Sequence, residues 1–290
     1  MSGCAVSEPD LTFGAVRAIL DKTKPGGITK KYGFIGCGNM GGALARALAK
    51  TTADFYITDR SGRGKALAQE LGCVYTDVMT IAEECDRIFL GVKPYLMEEV
   101  LAPLQAKLQQ NRPTLITMAA GLSMERIADF AGGPLPIIRI MPNTPTAVGK
   151  GITLYCANEL ADPAVVDSFL ADMTHSGRLD KIPESLMDAG SALSGSGPAY
   201  VYLFIEALAD GAVSCGIPRA QAMELAAGTH IGAAEKVLAS GKHPGELKDA
   251  VCSPKGSTIA GIRALEARGF RSTVTEGLIA TYERNLEMGK

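Results

Sequence analysis

Tyr32-Gly33-Phe34-Ile35-Gly36-Cys37-Gly38-Asn39-Met40-Gly41 decides the fold. A short apolar run breaks into G-x-G-x-x-G, and an Ala- and Leu-rich stretch, Met40 to Lys50, follows with the character of a helix. Strand, glycine turn, helix is the context in which this motif binds a dinucleotide. The first glycine permits the sharp turn, the second lets a pyrophosphate approach the backbone, and the third lets helix and strand pack closely. The helix start then offers free N–H groups and partial positive charge to the phosphates. Gly36, Cys37, Gly38, Asn39, Met40 and Gly41 are therefore candidate cofactor residues. A tight turn that binds nothing is the plain alternative.

The pattern continues outward. Phe55–Thr58, Cys73–Tyr75, Arg87–Val92, Thr114–Met118 and Pro136–Ile140 read as strands, with helices expected over Gly64–Leu71 and Tyr95–Leu108. Strands alternating with helices predict an α/β fold with a Rossmann-like, mainly parallel sheet. After about Ile182 the strand signal stops. Val201, Phe204, Ile205 and Leu208 recur at helical spacing, and Ala220–Ala239, Pro254–Ala267 and Thr273–Leu286 read as helices. The chain thus divides into an N-terminal extension (1–31), a dinucleotide-binding domain (32–182) and an all-α domain (183–290). In the extension, Leu11, Val16, Ile19 and Leu20 fit one helix face, closed by Lys24-Pro25-Gly26-Gly27.

Composition narrows the function. The 290 residues are 47% hydrophobic and 21% charged, enough for a packed core and unlike a disordered chain. Twenty-nine Lys+Arg against 31 Asp+Glu leave no basic excess for a nucleic-acid backbone. The 7 cysteines form no CxxC pair, so neither a disulfide framework nor a zinc knuckle is expected. His175, His230 and His243 are too scattered for a metal site, and none is predicted. The most apolar stretch, Ala199–Val213, carries Glu206 and Asp210 and is not expected to span a membrane. The first residues lack a basic start followed by an apolar run, so a cytoplasmic protein is expected.

Further candidates sit where the predicted strands end. Asp59 lies where an acid would bind the ribose hydroxyls of NAD, whereas Arg60 and Ser61 suit the 2′-phosphate of NADP. A plain turn cap is the other reading of Asp59. Gly91-Val92-Lys93-Pro94, Ala119-Ala120-Gly121 and Met141-Pro142-Asn143-Thr144-Pro145 end three more strands on the ligand-binding rim of such a sheet, and the small residues of the second let a flat ring lie against the backbone. Ser253-Pro254-Lys255-Gly256-Ser257-Thr258 opens a helix with hydroxyls and free amides, which suits a carboxylate; simple N-capping explains it equally.

Ile138-Arg139-Ile140-Met141-Pro142-Asn143-Thr144-Pro145, Leu193-Ser194-Gly195-Ser196-Gly197-Pro198-Ala199-Tyr200, His243-Pro244-Gly245-Glu246-Leu247-Lys248-Asp249, the 253–258 run and Gly269-Phe270-Arg271 closely resemble pyrroline-5-carboxylate reductase. The resemblance runs in order from about Tyr32 to Glu287. It implies reduction of a cyclic imine carboxylate, 1-pyrroline-5-carboxylate, to L-proline with NADPH or NADH, the last step of proline biosynthesis. It also implies a homodimer built through the helical domain, commonly assembling to a decamer. By that resemblance Met118, Ala119 and Ala120 line the nicotinamide side, Ser253, Gly256, Ser257 and Thr258 hold the substrate, and Ser191 stands where the family often carries Thr near it, with Glu184 on the same stretch.

Departures are also visible. The extension is longer than usual, Asp59 replaces a frequent Asn or Ser, Lys255 a frequent Gly, and Ala250 an Asn found in some members. The rival readings are a reductase of another cyclic imine and a non-catalytic dinucleotide-binding sensor. A glycine-loop methyltransferase fits the long helical half poorly.

Overall fold

The computed structural model describes residues 30–52 and 54–288. Most of the 1–31 extension, with its expected helix face, lies outside them. Beyond it the chain forms an eight-stranded sheet in the order β3-β2-β1-β4-β5-β6-β7-β8. The strands are β1 (Tyr32–Ile35), β2 (Phe55–Thr58), β3 (Val74–Tyr75), β4 (Arg87–Leu90), β5 (Thr114–Thr117), β6 (Ile137–Met141), β7 (Gly151–Ala157) and β8 (Gly177–Lys181). From β1 to β6 every pairing is parallel; β7 runs against β6, and β8 runs with β7.

The central strands are short and apolar because both faces are covered. Along β1, Tyr32 and Phe34 enter one core while Ile35 enters the other; along β6, Ile138 and Ile140 face the first and Ile137 and Met141 the second. Aromatic packing dominates one side, where Phe34 stacks on Phe89 with ring centroids 4.3 Å apart and Phe169 closes on Phe89 at 6.0 Å.

A buried cation braces the opposite edge from the glycine loop. Arg87, at the start of β4, donates to the Tyr32 hydroxyl and pairs with Asp172 at 3.2 Å. Tyr32 in turn donates to Asp172 at 2.6 Å. Burial, reinforced by that bond to a carboxylate, pushes the Tyr32 hydroxyl above its ordinary pKa, so it stays a donor. The network joins β1, β4 and the end of the helix Pro163–Asp172.

The structure departs from the sequence expectations in particular places. β7 and β8 were not foreseen, nor were the helices Val78–Glu84, Met124–Phe130 and Pro163–Asp172. The helix expected over Tyr95–Leu108 is broken into Met97–Leu101 and Gln105–Asn111 by a 3-10 turn at Ala102–Leu104, where Pro103 cannot donate to the helical ladder. The helix expected from Pro254 begins at Ser257.

From Glu184 onward the chain is helical: short turns, then Gly197–Ser214, Arg219–Ser240, Pro244–Ala250, Ser257–Ala267 and Phe270–Met288. Tyr200 ties the first of these to the last, donating to the Gly277 carbonyl at 3.3 Å. Val201, Leu203, Leu208, Leu225, Ile231 and Leu238 stay exposed in the single chain. No helix among the described residues is long and apolar enough to cross a membrane.

Replacing Asp172 with Ala strands the Arg87 charge in the core. The expected loss is about 3 kcal/mol of folding stability, the usual cost of leaving one member of a buried pair uncompensated. Urea unfolding of Asp172→Ala beside the parent protein measures it, and an unchanged midpoint would show that the pair does not brace the sheet.

Candidate active site

The sheet sets the site's geometry through the pairing of β1 with β4, which places Ile35 beside Leu90. Connections leave these neighbours in opposite directions, so a crevice opens beyond their carboxyl ends. The two turns touch backbone to backbone. Gly36 has φ +95°, and a Cβ on it would lie 2.8 Å from the Gly91 carbonyl carbon; a Cβ on Gly91 would lie 2.2 Å from the Gly36 oxygen. A Cβ on Gly41 would lie 2.5 Å from that same oxygen. These three glycines are required by contact inside the protein. Gly38 is different, because a Cβ there would meet nothing within 4 Å. Its neighbourhood is open space beside the start of the helix Asn39–Leu48, which has no side-chain cap and no acidic residue in its first turn. Unpaired N–H groups facing an open, side-chain-free surface fit a pyrophosphate. The residues present therefore suit a dinucleotide.

Cys37 contributes its backbone alone. Its side chain is buried in the aromatic core, and burial pushes the thiol up to about 12. Asn39 is exposed and Met40 half-buried. At the end of β2, Asp59 closes its own turn: one carboxylate oxygen accepts from the Ser61 N–H and hydroxyl, both at 2.7 Å, and from the Gly64 N–H at 3.4 Å. Partial burial pushes its pKa up, but the bonds from Ser61 and Gly64 outweigh that and hold it below the ordinary carboxylate value. Arg60 reaches across to Glu99 at 2.7 Å, an exposed pair that a bound anion can outcompete. The turn-cap and ribose readings of Asp59 are thus compatible.

Val92 packs on the core, Lys93 is exposed, and Pro94 opens a 3-10 turn. After β5, Ala119 is buried while Met118 and Ala120 are half-buried. Since β1, β2, β4 and β5 are parallel, all these candidates emerge on one edge of the sheet.

The helical candidates fall into separate groups. Apart from half-buried Gly256, Ser253–Thr258 is exposed in the single chain, and no hydrogen bond among the described residues joins it to the sheet. Gly256, not a hydroxyl residue, caps the helix Ser257–Ala267 and makes no side-chain cap bond. Simple N-capping by a side chain is thereby ruled out, and the hydroxyls of Ser253, Ser257 and Thr258 make no hydrogen bond within the described residues. Lys255 sits at φ +59°, the left-handed region that favours glycine, which gives a physical reason for a glycine at this point.

Ser191 is buried at the head of a π-helical turn, Ser191–Gly195, that precedes the long helix. Such turns recur at functional sites. The Glu184 carboxylate is already engaged: it accepts from the Met124 N–H at 2.8 Å, at the start of the helix after the Ala119-Ala120 loop, and from Arg139 at 3.1 Å. Arg139 is 4% exposed and also pairs with Asp188 at 3.5 Å. Asn143 joins the rim after β6 to the π turn. Arg139 and Asp188 were not singled out from the sequence by itself, and Asn143 only as part of the rim loop Met141–Pro145. An arginine inside the apolar strand Ile-Ile-Arg-Ile-Met was the available signal, because a cation there must find buried acids.

With this geometry in view, the comparisons are specific. A family model described as pyrroline-5-carboxylate reductase dimerisation matches residues 184–288, and one described as NADP oxidoreductase coenzyme F420-dependent matches 31–121. The pyrroline-5-carboxylate reductase of Synechocystis sp. is 42% identical, with 90% of this chain and 98% of the relative covered. That of Escherichia coli is 38% identical, covering 90% and 99%. The crystal structure of the Plasmodium falciparum pyrroline carboxylate reductase with NADP bound matches with a TM-score of 0.82 at 32% identity, covering 90% of this chain and 99% of that one. The Streptococcus pyogenes enzyme gives a TM-score of 0.82 at 36% identity, covering 89% and 98%.

Two substitutions test the glycine loop and the turn. Gly38→Ala keeps its fold but puts a methyl group in the phosphate space. NADPH affinity, read by calorimetric titration, should fall roughly ten- to a hundredfold, about 1.4 to 2.7 kcal/mol. Lys255→Gly removes a left-handed side chain and should raise the thermal midpoint, worth about 1 kcal/mol.

Proposed function

The chain belongs to the pyrroline-5-carboxylate reductase family, and on that premise we propose how its residues divide the work. The protein is an oxidoreductase of proline biosynthesis that reduces the ring C=N bond of 1-pyrroline-5-carboxylate to L-proline, with NADPH or NADH supplying the hydride.

The Gly36–Gly41 loop and the helix behind it hold the pyrophosphate. The observation that carries this reading is the open surface at Gly38 between three glycines that the protein itself requires. Asp59, Arg60 and Ser61 hold the adenosine ribose or its 2′-phosphate, and Gly91, Val92, Lys93 and Pro94 line the opposite wall. Met118, Ala119 and Ala120 form the floor under the nicotinamide. What supports this is that the four groups follow parallel neighbouring strands onto one edge.

Ser253, Gly256, Ser257 and Thr258 receive the substrate carboxylate and the ring nitrogen, using first-turn amides and hydroxyls that have no partner within the described residues. Lys255 adds charge beside them. Ser191 approaches the ring from the π turn. Glu184 acts through Arg139 and the Met124 N–H, which orient the segment, so its role is positioning. No strong general acid is needed: the imine binds protonated, and Thr258 orients its N–H. Orientation and charge placement are what the protein contributes.

Residues 32–182 and 183–290 serve as the two domains. The exposed apolar faces of the helical part support a homodimer through it and, beyond that, assembly of dimers to a decamer. The balanced charge speaks against a nucleic-acid partner. Six cysteines, all free among the described residues, suit the cytoplasm.

Loss of reduced-nicotinamide absorbance with pyrroline-5-carboxylate, run separately with NADPH and NADH, tests the reading; the ratio of the two rates ranks Asp59 against Arg60. Thr258→Ala should lower turnover roughly ten- to a hundredfold, or 1.4 to 2.7 kcal/mol. Unchanged turnover would remove Thr258 from the mechanism.

A further inference from the structure

We propose that Asn143 is a positioning residue for the imine: it holds the π turn Ser191–Gly195 at the level of the nicotinamide floor, so that the ring is kept between them. This rests on the reading of Met118–Ala120 as that floor.

The first support is placement. β6 runs parallel to β5, with Arg139 opposite Thr117. The residues after β6, Met141-Pro142-Asn143, therefore leave the sheet on the same edge as Met118-Ala119-Ala120, one strand away. Asn143 is the last of them before the 3-10 turn Thr144–Val148, and it is buried.

The second support is bonding. A buried amide must satisfy both ends. Asn143 does so with two distant parts of the chain: its Oδ1 accepts from the Ile152 N–H at 2.9 Å, and its Nδ2 donates to the Ser194 carbonyl at 2.9 Å. The first bond anchors it to the start of β7. The second grips the π turn from the sheet side. A π turn has a wider ring than an α-helix and frees carbonyls from the regular ladder; inside this one the Ser191 carbonyl accepts from the Ser196 N–H at 3.1 Å.

The third support is that the whole segment is held tightly just upstream, which leaves Asn143 to set its far end. A Cβ on Gly190 would lie 2.4 Å from Leu154 Cδ1 and 3.0 Å from Ile182 Cδ1, so the backbone lies directly on β7. Arg139 pairs with Asp188, and Asn285 of the last helix donates to the Asp188 carbonyl at 3.1 Å. One strand and its rim thus grip residues 184–194 at both ends, through Arg139 and Asn143. The turn between carries Ser191 and leads into the long helix.

Asn143→Asp separates the two bonds, since a carboxylate still accepts from Ile152 but cannot donate to Ser194. Steady-state kinetics with pyrroline-5-carboxylate and NADPH varied in turn, with NADPH Kd by calorimetry, should show the imine KM raised at least tenfold and the NADPH Kd within twofold of the parent. An unchanged imine KM, or a tenfold weaker NADPH Kd with the imine KM intact, would overturn the proposal. A lower melting temperature with parental kinetics would do the same, because it marks a structural role only. If Asn143→Asp fails to fold, Asn143→Ala decides: it removes the bond to the Ser194 carbonyl without adding a charge. It should reproduce the raised imine KM, and parental kinetics in it would sink the idea. Failure of the floor assignment reads out separately, in Ala119→Val, as a parental NADPH Kd and turnover.

Discussion

Everything in the site depends on two turns meeting without side chains. At the carboxyl ends of β1 and β4 the backbones of Gly36 and Gly91 touch, and any Cβ on either would overlap the other. That contact lets the helix Asn39–Leu48 start directly at the crevice, with Gly41 packed on the Gly36 carbonyl. A bulkier loop would push the helix back and carry its free N–H groups away from the crevice. The constraint is steric and local. It is also what makes the open surface at Gly38 meaningful, because a glycine that nothing in the protein requires stands among three that the protein does require.

Two buried arginines then keep the sheet rigid around that crevice. Arg87 ties β1 and β4 to the helix Pro163–Asp172 below the site. Arg139 ties β6 to Glu184 and Asp188 on the side where the helical half begins. Each brings a charge into a core where burial is costly, and each is compensated by more than one acceptor. Their common effect is to fix the separation between elements that apolar packing alone would let slide.

The helical half has another physical character. Its long helices expose Leu203, Ile231 and Leu238, and the turn Ser253–Thr258 makes no hydrogen bond to the sheet among the described residues. The match of residues 184–288 to a dimerisation family accounts for the apolar surface.

Local chemistry in the sequence determined much of this. The strands β1, β4, β5 and β6 are legible because each is an apolar run buried on both faces, and the glycine loop is legible because Gly41 packs on Gly36 within the same turn, although the Gly36–Gly91 contact spans 55 residues. β8, Gly177–Lys181, escaped notice because it lies at the sheet edge and carries Arg178, Asp180 and Lys181, which no apolar pattern marks. β7 escaped because buried Thr153 and half-buried Tyr155 interrupt its apolar run. The hydroxyls of 253–258 could be named from the sequence, but whether they cap a helix or stay free was decided by the turn at Lys255 and Gly256. Tertiary structure alone decided that Asn143 holds the Ser194 carbonyl and that Glu184 serves Arg139. Those partners are separated by dozens of residues, and no backbone propensity encodes such a bond. It exists only once packing of the whole sheet brings the two groups within 3 Å or so, a typical hydrogen-bond distance.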